Sequence, residues 1–223
     1  MKKMFVLTLS LAALGLLVSP WLILRAPQES TMGLVQKIFY YHVPTAMVDF
    51  LTIYLCGIAS VAFLVKRSPR ADALAVASAE LAVVFGACTL WTGSMWARKA
   101  WGVWWTWDVR LTTFALCEMV FIGYLLVRSY GGPGSRGLAA ALALFGCADV
   151  PLIYVSVSIW RTMHPQTTVV PNLVKPMAVP FWVAVFTMLM LYLALLLARL
   201  LHERNRTRVD ELYVAAAEAG LEE

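Results

Sequence analysis

Six long apolar runs constrain this chain more than any other feature. They fall at about 4–24, 45–65, 74–96, 112–129, 138–159 and 179–200. A helix needs about 20 apolar residues to cross a hydrocarbon core of roughly 30 Å. Hydrophobic residues make up 61% of the 223, and charged residues 14%, against about 25% in a soluble domain. The expected fold is therefore all-α: a polytopic membrane protein with six transmembrane helices and no room for a sizeable soluble domain. Lys2-Lys3 and the following run look like a signal peptide, but the run lasts to Leu24 and Val18-Ser19-Pro20-Trp21 is a poor cleavage site. It reads as an uncleaved first span.

The net charge of +5 is placed on the loops, not gathered on a nucleic-acid face. With the N-terminus inside, the inner segments carry Lys2, Lys3, Lys66, Arg67, Arg70, Arg128, Arg136, Arg199, Arg204, Arg206 and Arg208. The outer ones carry Arg25, Lys37, Arg98, Lys99, Arg110, Arg161 and Lys175. Eleven against seven puts both termini in the cytoplasm by the positive-inside rule. One domain then spans 1–201, with outer loops 25–44, 97–111 and 160–178, and 202–223 forms a cytoplasmic tail. Cys56, Cys88, Cys117 and Cys147 all fall inside spans and read as packing residues.

The segment Trp91–Arg110 holds six of the nine tryptophans: Trp91, Trp96, Trp101, Trp104, Trp105 and Trp107. Trp21, Trp160 and Trp182 also map to the outer half. An ordinary aromatic belt decorates both interfaces, and here the inner interface has none. The asymmetry points to a flat, apolar partner on the outside. Val35, Ile38 and His42 share a helical face, which suggests a short surface helix, and Pro44 is expected to open the second span. His42 and His164 thus sit at the outer mouths of different spans. Trp160 and His164 are four apart and would stack if the fifth helix continued.

Two imidazoles on one membrane face suit the iron of a planar macrocycle. Arg98, Lys99, Arg110 or Arg161 suit its propionates. A lone loop histidine is more often a solvated residue, and an interfacial tryptophan an anchor; the coincidence of the two raises the first reading. Asp49, Glu80, Glu118 and Asp149 lie in or near spans and support a rival, a proton- or solute-coupled transporter using Glu118 or Asp149. No partner inside the membrane is evident for Glu80 or Glu118. Gly132-Pro-Gly134-Ser-Arg-Gly137 spells a dinucleotide fingerprint, but it lies between two spans and reads as a hairpin turn.

The segment Trp101-Gly-Val-Trp-Trp-Thr-Trp-Asp108, followed by Val-Arg110-Leu-Thr112, resembles the "WWD" signature of haem-handling proteins in cytochrome c biogenesis. With FYYHVP, RTMHP and six spans, the chain resembles the cytochrome c maturation protein C (haem exporter protein C) family along nearly its whole length. The resemblance implies non-covalent binding of haem b at the periplasmic face of the bacterial inner membrane. It implies His42 and His164 as axial ligands and Trp101, Trp104, Trp105, Trp107 and Asp108 as the platform. Trp96, Trp160, Arg98 and Arg110 complete the expected site. The implied partners are the periplasmic chaperone cytochrome c maturation protein E, ABC transporter subunits A and B, the small membrane protein D and lipid. The implied role is haem transfer, not catalysis; a synthase joining haem directly to apocytochrome is a further rival.

Overall fold

The computed structural model describes residues 1–132, 134–165 and 168–218. Six helices carry the fold: α1 (Lys2–Arg25), α2 (Phe39–Lys66), α3 (Pro69–Ala100), α4 (Val109–Tyr130), α5 (Ser135–Ile159) and α6 (Lys175–Glu218). Each is long and apolar enough to cross a membrane. Short 3-10 turns occupy Leu34–Ile38 and Val170–Asn172. Among the described residues no strand forms; one isolated bridge joins Glu29 and Gly33.

Local chemistry explains the boundaries. Arg67 adopts the left-handed conformation that ends α2 (φ 51°). Ser68 then accepts a hydrogen bond from the Ala71 N–H, and Pro69 opens α3 where its missing N–H costs nothing. Asp108 caps α4 by accepting from the Leu111 N–H at 2.9 Å.

Helix α2 packs on α3, α5 and α6, while α1 lies against α6 and α4 against α5. In lipid the hydrophobic effect does not drive helices together, so close packing must. The core accordingly uses small residues: Ala59, Ala75, Ala79, Ala82, Ala139 and Ala143 surround Cys56, Cys117, Phe121 and Tyr124. A Cβ on Gly57 would stand 2.2 Å from the Cys147 sulfur, so α2 and α5 meet at a distance only glycine permits. The Cys56, Cys117 and Cys147 thiols donate to the Ala75, Gly146 and Ile53 carbonyls, as packing residues do.

Several sequence expectations shift. The second span begins at Phe39, not at Pro44, which is buried inside the helix. Pro44, the sixth residue of α2, removes the N–H that would otherwise meet the Tyr40 carbonyl, and the Thr45 hydroxyl bonds the neighbouring Tyr41 carbonyl at 2.6 Å. The expected surface helix is reduced to the 3-10 turn that runs into α2. The 97–111 loop shortens, because α3 runs to Ala100 and α4 starts at Val109. The tail is no separate element through Glu218, since α6 continues unbroken to that residue. Glu80 does have a partner. Arg199 of α6 meets both its oxygens, at 2.6 and 3.1 Å, and also holds Glu203 at 2.8 Å.

Candidate functional site

His42 lies in the first turn of α2, and His164 in the loop after α5. Their ring centroids are 6.4 Å apart and tilted by 45°. Two elements distant in sequence therefore place two imidazoles side by side.

The hydrogen-bond partners assign a tautomer to each ring. The Thr92 hydroxyl proton goes to the Cys88 carbonyl at 2.8 Å, so its oxygen accepts from His42 Nδ1 at 3.0 Å. His164 Nδ1 lies 2.9 Å from the Pro165 carbonyl, which only accepts. Both rings are thus the Nδ1–H tautomer by hydrogen-bond logic, and both keep an Nε2 lone pair. Oriented imidazoles with one nitrogen fixed by the protein are what metal-ligating histidines present. Burial, helped by the positive charge of Arg110, pushes His164 down to about 4 from the ordinary 6.5. The ring stays neutral at physiological pH, the form that can ligate.

Thr92 and Gly93 were not singled out in the sequence. A Cβ on Gly93 would approach the His42 ring to 3.0 Å, so the glycine makes room for it. Thr162 was missed as well. Its hydroxyl donates to Asp108 Oδ2 at 2.5 Å, and its oxygen accepts from the His164 N–H at 3.1 Å. One carboxylate therefore caps α4 and, through Thr162, steadies the His164 loop. Arg110 donates to the Ile153 carbonyl of α5 at 3.3 Å, and its charge lies within electrostatic range of both imidazoles.

The expected stacking of Trp160 on His164 does not occur. Helix α5 stops at Ile159, and Trp160 is extended (φ −111°, ψ 154°) and exposed. Proline after His164 disfavours helical backbone there, and the Thr162–Asp108 bond draws the loop toward α4.

The indoles of the segment pair among themselves. Trp96 meets Trp101 edge-on at 5.1 Å, and Trp105 meets Trp107 at 5.7 Å. Trp104 and Trp107 are exposed. Arg98 is tied back to the Gly102 carbonyl at the end of α3. An open groove of about 540 Å³ lies among Trp91, Trp105, Trp107, Ala87, Leu90 and Ser94. By helical periodicity its α3 residues occupy the face opposite Thr92 and Gly93. The structure thus brings His42, His164, Asp108 and Arg110 together and opens the indole groove on the other side of α3. The Trp105 Nε1–H is buried without a hydrogen-bond partner. A buried donor left open is costly unless a ligand meets it.

Comparison with known proteins identifies the family. The family model described as Heme exporter protein C matches residues 1–215. The chain is similar to the "Heme exporter protein C" of Bradyrhizobium diazoefficiens, 34% identical over 216 residues that cover 94% of this chain and 81% of that one. It is 32% identical to the protein of that name in Haemophilus influenzae, over 86% of this chain and 80% of that one. The Escherichia coli K12 protein is 32% identical over 84% of this chain and 80% of its own length. A family model that matches residues 1–215, with relatives 32–34% identical over most of both chains, places this six-span helical protein in the heme exporter protein C family.

Proposed function

We propose that this protein holds haem b non-covalently at the periplasmic end of its bundle and passes it to the periplasmic chaperone during c-type cytochrome maturation. His42 and His164 are the axial ligands. The observation that carries this reading is the pair of Nδ1-anchored imidazoles 6.4 Å apart. A metal–nitrogen bond of about 2.0 Å on each side, with each ring centre about 1.2 Å behind its nitrogen, gives a centroid separation of about 6.4 Å. The observed separation supports one iron held between them.

Arg110, whose charge acts on both imidazoles, is the partner for a propionate, with Arg98 at the loop edge. Trp96, Trp101, Trp104 and Trp160 form the indole border, while Trp105 and Trp107 line the groove on the other face of α3, where the open Trp105 N–H lies. Asp108 acts through Thr162 on the ligand loop. Transfer requires a cargo held firmly at the iron yet reachable at its periphery, and exposed Trp104 and Trp107 leave that periphery open. The protein has no bond-making chemistry of its own in this reading. ABC transporter subunits A and B and the small protein D are its partners in the inner membrane, with both termini cytoplasmic, and they supply ATP hydrolysis.

Purified protein is expected to show a six-coordinate bis-histidine absorption spectrum. His42→Ala and His164→Ala should each convert it to a five-coordinate form or abolish haem. If both substitutions leave the spectrum unchanged, the axial assignment fails. A second reading, proton-coupled transport, is favoured by Asp49 and Asp149, each with a buried carboxylate oxygen lacking a hydrogen-bond partner. It requires haem-free protein and proton-linked uptake in vesicles that Glu118→Gln or Asp149→Asn abolishes.

A further inference from the structure

The end of the bundle away from the histidines has a second site. A cavity of about 600 Å³ lies where α2, α4 and α5 finish or begin, walled by Phe63, Arg67, Arg128, Arg136 and the glycine-rich α4–α5 turn. Three guanidinia enter it from three helices. Arg67 is the left-handed residue that ends α2, Arg128 sits in the last turn of α4, and Arg136 in the first turn of α5.

One carboxylate answers them. Asp72 of α3 holds Arg128 at 2.9 Å and lies 3.6 Å from Arg136. Arg67 rests over the Phe63 ring at 5.6 Å. Three arginines against one aspartate leave two positive charges on the cavity. Helix α5 starts there without a side-chain cap, so the positive end of its dipole adds to them. Gly132 and Gly134 both have positive φ, 63° and 93°, and no atom stands within 4 Å of where their Cβ would be. At Gly132 and Gly134 the wall is open, while Gly131 is packed against Val127 and Ser135. The Gly132–Gly137 pattern is thus no dinucleotide fingerprint, yet it borders a cavity with the charge and the access that a phosphate needs.

The surroundings say which kind of phosphate. Val65 is 75% exposed, Leu126 54% and Tyr130 84%. The cavity lies at the ends of membrane-spanning helices, the level of a lipid headgroup. Val65 and Leu126 show that lipid-facing side chains reach this level, on helix faces turned away from Phe63 and Arg128, and Tyr130 is the last residue of α4. We infer that this cavity binds the phosphate headgroup of an anionic membrane lipid through Arg67, Arg128 and Arg136. Basic pockets between spans at the cytoplasmic side are suited to such headgroups, and planar guanidinia suit phosphate oxygens.

The test is native mass spectrometry of the full chain in detergent. It is mixed separately with dioleoylphosphatidylglycerol, dioleoylphosphatidylcholine and inorganic phosphate. The wild type should retain the glycerol lipid about tenfold more than the choline lipid. An R67Q/R136Q double variant, which leaves the Arg128–Asp72 pair intact, should lose about tenfold or more of that retention, as expected for removing charge-assisted bonds. K2Q/K3Q removes two charges from the same membrane side and should retain the lipid as the wild type does. Equal retention of the two lipids overturns the proposal. So does an equal loss in K2Q/K3Q, which would mean diffuse surface charge. Retention of inorganic phosphate as strong as that of the glycerol lipid overturns the lipid assignment in favour of a soluble anion.

Discussion

At one end of the bundle Asp72 is met by Arg128 and Arg136, and Glu80 by the Nε and one Nη of Arg199. At the other, His42 and His164 each turn one nitrogen to the protein and leave the other unclaimed, and the Trp105 N–H has no partner at all. The first end closes its helix-borne carboxylates within the chain, which favours a fixed bundle. The second has spare valences held in place by neighbouring groups. Polar atoms cost free energy when buried and unmet, so a fold retains them where something else completes them. The ion pairs hold the frame, and the open lone pairs mark where the frame is used.

The largest effect on this contrast should come from Thr92→Val. It removes the acceptor that orients His42 without touching the iron ligand. Haem affinity is expected to fall 10–100-fold, as for other outer-shell partners of metal ligands, with melting temperature nearly unchanged; unchanged haem titration would show that Thr92 does not orient the ring.

Acid should discriminate next. His164 titrates near 4 in the fold against 6.5 when free, so bis-histidine ligation should persist at pH 5.5, where a free imidazole is about 90% protonated. It should fail as the pH approaches 4. Because the unfolded chain takes up this proton first, the contribution to stability is complete above pH 6.5 and declines as pH drops from there toward 4. A spectrum that changes already at pH 6.5 would contradict the buried, neutral ring.

Asp108→Ala deletes a helix cap and the anchor of Thr162 together. A cap is worth about 1 kcal/mol, so the protein should melt a few degrees lower and its haem spectrum should broaden as the His164 loop loosens. Smallest is Glu80→Gln at the closed end. The pair is partly exposed, side-chain exposure being 35% and 27%, which limits its value to about 1 kcal/mol or less. Haem binding should not change. A loss of haem in Glu80→Gln would erase the division between the two ends.

The spans, the indole segment and both histidines were legible because apolar length, composition and residue type are properties of the chain alone. Thr92, Gly93 and Thr162 were not, since a threonine in an apolar helix looks the same whether it bonds its own backbone or a histidine fifty residues away. The partner of Glu80 was hidden for the same reason; Arg199 lies 119 residues further on. Two misreadings had signals in view. Pro165 forbade the helical continuation that stacking Trp160 on His164 required, and Pro44 lay close enough to Phe39 to sit within a helix start.

Helix α6 runs 44 residues without a break, about 66 Å at 1.5 Å per residue. Its azimuth is set where Tyr192 and Leu196 pack against α2 and α3 and is locked again by Arg199. Val209, Leu212 and Tyr213, exposed and spaced three and four apart, therefore form a stripe whose compass bearing is decided inside the membrane. Inserting one residue after Glu203 would swing that stripe by about 100° and leave every span untouched.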